Sequence, residues 1–465
     1  MVIRKINIII ISSITVFVVL IIVGIAGLSY YQATRFNHSI MINGTDVGGL
    51  TADQTIKKLK ALVLKNEVYI GDKLIVNEKG TKAGFTNNDL PSVRSLLKKQ
   101  QTWWPSSVAK DYSLVPSKAE NERSQKLRGE VAAKIALMNK SLKAPLDARA
   151  SLNQGRIFVS NSVGGEQYDT AKLLKDYDQH EYYSVIHLKA VRSVPIESDS
   201  TIVKNEKKKL QELVQKSVAY QVQNTTYTLK ASDLIKNATV SKDMKMTIDT
   251  SGLENRVAAI NRSQSTLNKN FQFKTHSGSV ISVQGQSYGW ALDVPAETKR
   301  IQDALEKGDT SLRAYNVYGV GYSTYGIGYH VTANHGIGDT YAEVSIEQQR
   351  IWIYQNGKLK VTTNVVTGRQ DTHEDTPKGV WYIMYKQSPS TLVGSESGDP
   401  HYSVKVKYWA PFTDSGCGFH DAYWRHNWAP NAYLNQGSGG CVNTPPNVMK
   451  QVYDNLTQNE PVVIY

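Results

Sequence analysis

One long apolar run near the start of the chain restricts how its first residues can fold. Residues 8–31 are almost wholly apolar. A helix of about 20 such residues spans the hydrocarbon core of a bilayer. The apolar region of a cleaved signal peptide is usually only about 7–15 residues and ends at a small-residue site. We therefore expect a transmembrane anchor within residues 1–36, with a cleaved signal peptide as the alternative.

The residues that flank the run predict its orientation. Arg4 and Lys5 precede it, and Tyr30 and Tyr31 close it. Basic residues tend to stay on the cytoplasmic side, and tyrosines favour the membrane interface. We expect a single-pass protein of the cell membrane, with a cytoplasmic N-terminus and everything beyond about Arg35 outside the membrane.

Composition narrows the class of partner. The chain has 465 residues and a formal net charge of +13, with Lys and Arg spread throughout. This length allows about three or four domains. The sequence contains no nucleic-acid motif, so we expect a solvated basic surface that attracts anionic cell-surface polymers and no nucleic-acid partner.

A repeat divides the middle of the chain. Four residues recur at a constant offset of 124 (281 minus 157): Ile157, Val159, Gly165 and Asp169 return as Ile281, Val283, Gly289 and Asp293. Each copy is predicted to form a strand, a glycine-containing turn and an Asp-led helix. The two predicted helices cover residues 169–178 and 293–307. The alternative is a coincidence of common residues. The repeat predicts two α+β modules, residues 37–200 and residues 201–336, the second ending in a Gly/Tyr-rich linker.

Helical periodicity supports these modules. Thr51 and Gln54 fit a capping box ahead of Ile56, Leu59 and Val63, which recur at helical spacing. Two further helices are expected over residues 118–140 and 202–218.

The last part of the chain, residues 337–465, changes to strand patterns. Val344, Ile346, Ile351 and Ile353 alternate with polar residues, and Asn356-Gly357 marks a tight hairpin turn. Only one short helix is expected, over residues 446–455. The fold class is therefore multidomain α+β, with an N-terminal transmembrane helix, two repeated modules and a C-terminal β-rich domain.

The residues that carry chemistry lie in this last domain, in the run Ser438-Gly439-Gly440-Cys441-Val442-Asn443. A free thiol needs a nearby base to act as a nucleophile, and His420 is the best candidate. The glycines leave the sulfur accessible, and we expect the N–H groups of Gly440 and Cys441, with Gly439 as a further candidate, to form an oxyanion hole. We expect the Asp421 side chain to point away from the thiol and a backbone carbonyl, that of Ser438, to orient the imidazole.

Two alternatives involve the second cysteine, Cys417. It can pair with Cys441, although we expect it to pack as a small apolar residue. Cys417, His420, His426 and Cys441 are also zinc-compatible, but strand geometry places Cys417 and His420 on opposite faces. We expect no metal and no cofactor.

At these motifs the chain resembles the YkuD-type L,D-transpeptidase catalytic domain. The matching segments are Gly418-Phe419-His420-Asp421-Ala422-Tyr423-Trp424-Arg425 and the Cys441 run, with Thr367-Gly368 and Thr376-Pro377-x-Gly379 in support. The resemblance covers about residues 338–465 and implies a β-sandwich. The upstream modules are similar to peptidoglycan-binding modules. The family usually has a second histidine where this chain has Gly439, so His420 is the one well-supported base.

The resemblance implies the following chemistry. Cys441 attacks a tetrapeptide stem, D-Ala leaves, and the amine of a second stem resolves the acyl-enzyme as a 3→3 cross-link at the cell wall. The partners implied are stem peptides and glycan strands, and carbapenems are implied to acylate the thiol. Alternatives are an L,D-carboxypeptidase, with water as acceptor, and a non-catalytic wall-binding protein.

The resemblance also places three further side chains around the cleft, Trp424, Arg425 and Asn443, and Tyr402 is a further candidate for substrate binding. Arg425 either holds a substrate carboxylate or bonds to backbone. Tyr402, Tyr408 and Trp409 either line a lid or pack in the interior.

Overall fold

The computed structural model describes residues 2–100, 105–118 and 122–465. These residues form two compact units. The first comprises the chain up to Arg149 together with Ser160–Val203, and the second comprises Ala150–Val159 and Lys204–Tyr465. The units are larger than single domains, so the four domains expected from the sequence remain a proposal.

Helix α1, Val2–Thr34, contains the apolar run. Its segment Ile11–Thr34 has 24 residues and is long and apolar enough to cross a membrane. The side chains of this segment are largely exposed. Its length and composition meet the requirement for a membrane span, and the transmembrane anchor stays a prediction.

The chain from residue 40 to residue 188 forms short sheets covered by helices. In order, the elements are β1 (Ile40–Ile42), β2 (Thr45–Asp46), α2 (Ala52–Lys60), β3 (Val63–Leu64), β4 (Glu67–Ile70), β5 (Lys73–Asn77), β6 (Thr81–Lys82), α3 (Leu90–Lys99), β7 (Lys110–Tyr112), α4 (Arg128–Ser141), β8 (Ala150–Asn153), β9 (Arg156–Val159), α5 (Thr170–His180) and β10 (Val185–Leu188). A 3₁₀ turn, Asn87–Asp89, precedes α3, and a π-helical segment, Glu122–Leu127, precedes α4. The first unit contains the sheets β2-β1-β7, β10-β4-β5 and β3-β6.

The second unit opens with a similar succession of elements. They are α6 (Thr201–Gln215), β11 (Ser217–Val222), β12 (Thr225–Lys230), α7 (Ala231–Leu234), β13 (Ala238–Val240), β14 (Met246–Ile248), α8 (Ser251–Gln264), β15 (Asn270–Lys274), β16 (Val280–Gln284), β17 (Ala291–Leu292), α9 (Val294–Lys307), β18 (Ser311–Arg313) and β19 (Val317–Tyr318). Strands β8 and β9 belong to this unit, where they complete a four-stranded sheet of order β14-β13-β8-β9.

The two halves share a connection pattern. In the first, β4 and β5 form a hairpin and β10 pairs parallel to β4; in the second, β11 and β12 form a hairpin and β18 pairs parallel to β11. Asp169 caps α5 through Lys172 N at 3.0 Å, and Asp293 caps α9 through Ala296 N at 3.0 Å. The shared pattern accords with the four-residue repeat, although the duplication itself stays a prediction.

The predicted helices are present, but some of their ends differ from the prediction. The capping box is present: Thr51 Oγ1 accepts from Gln54 N, and Thr51 N donates to Gln54 Oε1. Val63 does not belong to this helix. The helix ends at Lys60 and Val63 lies in β3, where it pairs with Lys82. Helix α6 likewise ends earlier than expected, because Val218 lies in β11.

The predicted helix over residues 118–140 appears as α4, which begins only at Arg128. Residues 119–121 of that prediction lie outside the described part of the chain.

The C-terminal domain is built from three sheets. Its elements are β20 (Tyr341–Ser345), β21 (Arg350–Gln355), β22 (Lys358–Asn364), β23 (Gly379–Tyr382), β24 (Ser390–Glu396), β25 (Asp399–Val406), β26 (Trp409–Pro411), β27 (Gly418–Asp421), α10 (Tyr433–Gln436), β28 (Val442–Thr444), α11 (Pro446–Asn455) and β29 (Pro461–Ile464). The sheet orders are β22-β21-β20-β29-β23, β26-β27-β28 and the hairpin β24-β25. The β-rich prediction is confirmed, with the one-turn helix α10 as an addition.

The apolar faces of the two larger sheets and of α11 form one core. It includes Ile351, Phe412, Phe419, Met449 and Val462, all fully buried. At the Asn356-Gly357 turn both residues have positive φ, 50° and 72°, which is the geometry of the tight hairpin that the sequence predicts. This core fixes the three-stranded sheet that carries the candidate site.

A hairpin of the preceding module packs on the C-terminal domain. Phe273 of β15 and Val283 of β16 share a buried cluster with Val380 and Val463. At the hairpin turn, the backbone N–H of His276 donates to both carboxylate oxygens of Glu343, at 2.8 and 3.0 Å. Since the Glu343 side chain is fully buried, these bonds hold the hairpin at a defined place on the sheet.

Candidate active site

Two neighbouring strands position the candidate residues. His420 lies in β27, and β28 begins directly after Cys441. The two strands are parallel, with His420 paired to Asn443. Paired residues of adjacent strands point to the same face, so the sheet sets the Asn443 side chain beside the imidazole. Cys441, at the entrance to β28, completes the group.

The loop over residues 438–441 is held by the motifs that the sequence singled out. Ser438 N donates to Thr367 O at 3.0 Å, and Thr376 Oγ1 donates to Gly440 O at 2.8 Å. Thr376 Oγ1 also accepts from Gly368 N at 2.9 Å. These buried bonds fix the backbone on which the thiol is mounted.

Gly440 needs to be a glycine. Its φ is +111°, a conformation that side chains rarely adopt. A Cβ there would also lie 2.8 Å from the sulfur of Cys417. Cys417 is buried in the domain core and is a free thiol, as is Cys441. It therefore packs beneath the loop as a small apolar residue, which is the role expected of it.

Both nitrogens of the His420 ring have partners. Nδ1 lies 3.0 Å from the carbonyl oxygen of Asp421, so Nδ1 carries the proton and donates. Nε2 then accepts from the amide nitrogen of Asn443 at 3.0 Å. The carbonyl that orients the ring belongs to Asp421, which corrects the expectation for Ser438. The Ser438 carbonyl accepts instead from Arg369 N at 2.8 Å.

The orientation of the Asn443 amide follows from Arg425. The Asn443 oxygen accepts from Nε and Nη2 of Arg425, each at 3.0 Å. A guanidinium offers only donors, so the amide oxygen must face Arg425 and the amide nitrogen must face His420. Arg425 also donates to the carbonyl of Gln436. In this arrangement Arg425 bonds to protein groups. The contact with a substrate carboxylate that the sequence suggests for it stays a prediction.

Aromatic rings enclose His420. Trp424 stacks on it at a centroid distance of 5.7 Å, and Trp409 packs against it at 5.9 Å. His420 is buried, and burial lowers the pKa of its imidazole to about 4. The ring is therefore neutral at neutral pH, because desolvation disfavours the imidazolium.

The thiol is neutral for the same reason. Burial raises the pKa of Cys441 to about 12; the neighbouring Cys417 and Glu396 add to this rise, and the N–H of Gly418 opposes it. The Cys441 Sγ donates to Gly416 O at 3.5 Å. Among the described residues, no hydrogen bond joins the sulfur to the imidazole. The resting pair is a thiol and an imidazole rather than a thiolate and an imidazolium.

Asp421 takes no part in a triad, as strand alternation predicts. Its carboxylate accepts from Lys407 N at 2.8 Å and from Tyr408 N at 2.9 Å. The side chain therefore fixes the approach to β26, and only its carbonyl meets the ring. Tyr408 packs on Tyr453 and Trp409 is buried, so neither of these two residues belongs to a lid.

Two of the expected oxyanion donors, Gly439 N and Gly440 N, have hydrogen-bond partners in this structure. Gly440 N donates to Ser438 Oγ at 3.2 Å, and Ser438 Oγ donates to Cys441 O at 2.5 Å. Gly439 N donates to Oε2 of Glu396 at 3.1 Å. The oxyanion role of Gly439 and Gly440 remains a prediction, and it requires these N–H groups to exchange partners when substrate binds.

The hairpin β24-β25 forms a lid over the site. It encloses a cavity of about 360 Å³ that is lined by Cys441, His420, Gly439, Glu396 and Tyr402, among others. A second cavity, of about 490 Å³, also reaches Cys441 and Tyr402. Tyr402 is thus the one of the three aromatic candidates that lies on the lid.

Sequence reasoning missed Glu396. This carboxylate enters the cavity from the lid, in the run Val393-Gly394-Ser395-Glu396-Ser397-Gly398. The glycines and serines predict a turn, but nothing in the run indicates what the turn covers. The signal that could have found it is the glycine at position 439, because its missing side chain leaves the space that Glu396 occupies.

Residues 339–464 match the family model of the L,D-transpeptidase catalytic domain, YkuD. Residues 201–312 match the model of a putative peptidoglycan binding domain. The chain belongs to the YkuD family of L,D-transpeptidases through its C-terminal domain, and it carries a peptidoglycan-binding domain before it. No curated protein matches the chain.

Solved structures of an Enterococcus faecium L,D-transpeptidase are similar to parts of the chain. The crystal structure of its cysteine-to-serine mutant is 26% identical, covering 56% of this chain and 98% of that chain, with a TM-score of 0.46. The NMR structure of its catalytic domain is 37% identical, covering 27% and 97%, with a TM-score of 0.25. The same domain has been determined acylated by ertapenem, with the same identity and coverage.

Proposed function

We propose that this chain is a cell-wall L,D-transpeptidase that forms 3→3 cross-links in peptidoglycan through an acyl-enzyme on Cys441. The observation that carries the proposal is that Cys441 and His420 line the same cavity under the lid. The sheet register and the loop bonds fix this arrangement before substrate arrives.

In the first half-reaction the thiol adds to the carbonyl carbon between the third residue of a tetrapeptide stem and its terminal D-Ala. The thiol proton passes to Nε2, since this is the one basic position of the ring when Nδ1–H bonds to the Asp421 carbonyl. The C–N bond then breaks and the imidazolium protonates the departing amine of D-Ala. A thioester remains on Cys441.

The neutral resting pair suits this sequence. A thiolate exists only as the bond to the carbonyl forms, so the site is not permanently charged. For Nε2 to receive the proton, the Asn443 amide must release it, and we propose that substrate binding under the lid displaces this contact. N–H groups at Gly439 and Gly440 would then stabilise the oxyanion.

In the second half-reaction the side-chain amine of another stem attacks the thioester. A carboxypeptidase would use water here. The lid favours the transpeptidase, because a covered cavity limits the access of water to the thioester.

The N-terminal helix and the basic charge support a location at the outer face of the cell membrane. We propose that α1 anchors the chain with its N-terminus in the cytoplasm, that the modules bind glycan strands or act as a spacer, and that anionic wall polymers are attracted to the net charge of +13.

Incubation of the full chain with disaccharide-tetrapeptide, read by mass spectrometry, tests the function. We expect a cross-linked dimer with the wild-type chain, none with Cys441→Ala and a loss of at least about a hundredfold with His420→Ala. Cys417→Ala is the matched control and should remain active, because that thiol only packs in the core. A dimer formed by Cys441→Ala would overturn the proposal, and a tripeptide without dimer would favour the carboxypeptidase.

A carbapenem gives an independent readout of the thiol. The ertapenem adduct of the E. faecium domain leads us to expect one covalent adduct on the wild-type chain by intact mass. The Cys417→Ala chain should gain the same adduct and the Cys441→Ala chain none.

A further inference from the structure

The cavity beside Cys441 contains an acidic group that the reaction above does not use. Glu396 lies at the end of β24, and its Oε2 accepts from Gly439 N at 3.1 Å. The side chain is exposed at the mouth of the cavity, while its carboxylate faces the loop that carries the thiol. A charged group so close to the reacting sulfur will bias which molecules approach it.

Gly439 and Glu396 fit each other. A Cβ at position 439 would lie 2.9 Å from the Cβ of Glu396 and 3.2 Å from its Oε2. A larger residue at 439 would therefore push the carboxylate out of its place. The absence of a side chain at 439 is what admits Glu396 to the cavity.

A second contact holds the same part of the lid. Ser397 N donates to Oε1 of Glu374, and Thr372 Oγ1 donates to Oε2 of Glu374 at 2.6 Å. The turn is thus tied to the loop before β23 as well as to Gly439. Glu396 is not needed merely to close the lid, since Glu374 already does so.

The charge of Glu396 is not neutralised by a partner. Arg425 is a cation with an electrostatic effect on it, but its guanidinium bonds to Asn443 and Gln436. No salt bridge to Glu396 forms within the described residues. Partial burial and the neighbouring Glu374 and Asp399 raise the pKa of Glu396, while the Gly439 N–H opposes this rise.

We propose that Glu396 is the residue that selects a cationic amine as the acceptor, by holding its ammonium group beside the thioester on Cys441. The inference rests on the proposed function. The acceptor of a cross-link is an amine that is protonated at neutral pH, and a carboxylate is the side chain that recognises it. The donor stem differs from the acceptor in charge. Its leaving D-Ala ends in a carboxylate, which Glu396 repels.

The acceptor step transfers the acyl group from the sulfur of Cys441 to the nitrogen of the amine. The ammonium releases one proton to solvent and its nitrogen bonds to the thioester carbonyl carbon. The C–S bond breaks, and the sulfur of Cys441 takes a second proton from the same nitrogen. Glu396 supplies attraction and position, and the amide and the free thiol are the products.

The test separates acylation from acceptor use. Full-length wild-type, Glu396→Gln, Glu396→Ala and Glu347→Gln chains receive disaccharide-tetrapeptide as donor, with either Nα-acetyl-lysine, a cationic amine, or hydroxylamine, an uncharged one at neutral pH. Glu396→Gln keeps an oxygen for the Gly439 N–H and removes only the charge. Glu347→Gln is the matched control, because it removes an exposed carboxylate elsewhere in the same domain.

We expect Glu396→Gln to raise the KM for the cationic acceptor about fivefold, the size typical of an exposed charge pair, and to leave the KM for hydroxylamine unchanged. The difference should shrink at high salt, because exposed pairs are screened. Glu396→Ala should behave the same way, and Glu347→Gln should match the wild type.

Equal KM values for wild type and Glu396→Gln with both acceptors would overturn the inference. An equal loss with both acceptors would also overturn it, because it would indicate a structural role for the lid. Release of D-Ala and the acyl-enzyme mass report the donor step alone. If the wild-type chain forms no acyl-enzyme, the proposed function fails; if it forms one and only the acceptor preference is absent, the inference alone fails.

Discussion

The amide of Asn443 donates to Nε2 of His420 across the parallel strands β27 and β28, at 3.0 Å. The same amide accepts both donors of Arg425 through its oxygen. This amide can only donate to Nε2, so it fixes the tautomer of the candidate base together with the Asp421 carbonyl at Nδ1. The neutral ring with its proton on Nδ1 is the form that this contact stabilises.

Asn443→Asp should favour a ring protonated at both nitrogens, because Nδ1–H still donates to the Asp421 carbonyl. A carboxylate accepts from Arg425 as before, but it can only accept from the ring, so Nε2 must carry a proton. We expect the pKa of His420, lowered to about 4 in the wild-type chain, to rise above its ordinary value, and cross-linking to fall about a hundredfold or more. NMR titration of the ring protons measures the shift; a ring that still titrates near 4 would contradict the assigned tautomer. Asn443→Gln, which keeps an amide, is the control.

The reactivity of the thiol should report its protonation. Burial raises the pKa of Cys441 to about 12, so the thiolate fraction grows tenfold per pH unit throughout the accessible range. In a Cys417→Ala background we expect the rate of iodoacetamide alkylation to rise log-linearly between about pH 6 and pH 10. A plateau beginning below about pH 8.5 would indicate a preformed thiolate–imidazolium pair.

The buried imidazole should couple stability to pH. The pKa of His420 is about 4 in the folded chain and about 6.5 when unfolded. The unfolded chain therefore binds the proton first. The stabilisation is complete above about pH 6.5 and is lost as pH falls towards 4, by roughly 3 kcal/mol.

His420→Gln lacks this titration and serves as the reference. Denaturant unfolding of both full-length chains in detergent micelles, at a series of pH values, gives the difference. A constant difference between pH 4 and pH 7 would show that the imidazole titrates alike in both states.

The contact between Glu343 and His276 should contribute to the stability of the second unit. The fully buried carboxylate accepts twice from His276 N and once from Tyr465 Oη at 2.6 Å. Glu343→Ala would leave these donors unpaired in the interior. We expect a loss of about 2–3 kcal/mol, measured by chemical denaturation. Glu347→Gln, at an exposed position of the same domain, should change stability by less than about 0.5 kcal/mol.

Gly440→Ala should disable the site by strain. The positive φ disfavours a Cβ, and that Cβ would lie 2.8 Å from the sulfur of Cys417. We expect at least about a tenfold loss of acylation by a carbapenem, and a stability loss of about 1–3 kcal/mol. Adding Cys417→Ala should recover only part of the loss, because it removes the clash and leaves the φ unchanged. Full recovery would mean that backbone strain does not matter here.

Local patterns in the sequence were enough for much of the fold. The Thr51 capping box, the Asp-capped helices and the Asn356-Gly357 turn depend on residues within a few positions of each other, and each forms as predicted. The helix prediction is wrong for Val63 because this residue of β3 pairs with Lys82 of β6, which is distant in sequence. Periodicity alone could not show that pairing.

The candidate site likewise has features that local sequence predicts and features that it does not. Adjacent motif residues placed Cys441 and His420 in one cavity and turned the Asp421 carboxylate away. The carbonyl that holds the ring, the Asn443–Arg425 contact and the Glu396 carboxylate all depend on the register of strands or on the course of the lid. Neither the strand register nor the course of the lid can be inferred directly from a single sequence.

The β8-β9 hairpin has a consequence for anyone who trims this chain. It supplies two of the four strands in β14-β13-β8-β9, with Ala238 opposite Leu152 and Thr239 opposite Ser151. The match to the peptidoglycan-binding domain begins only at residue 201. A fragment cut at that point would leave β13 as an open edge and the buried Glu206 without its contact to Ala150 N. Such an edge invites other chains to pair with it, so self-association in a shortened protein would be a product of the cut.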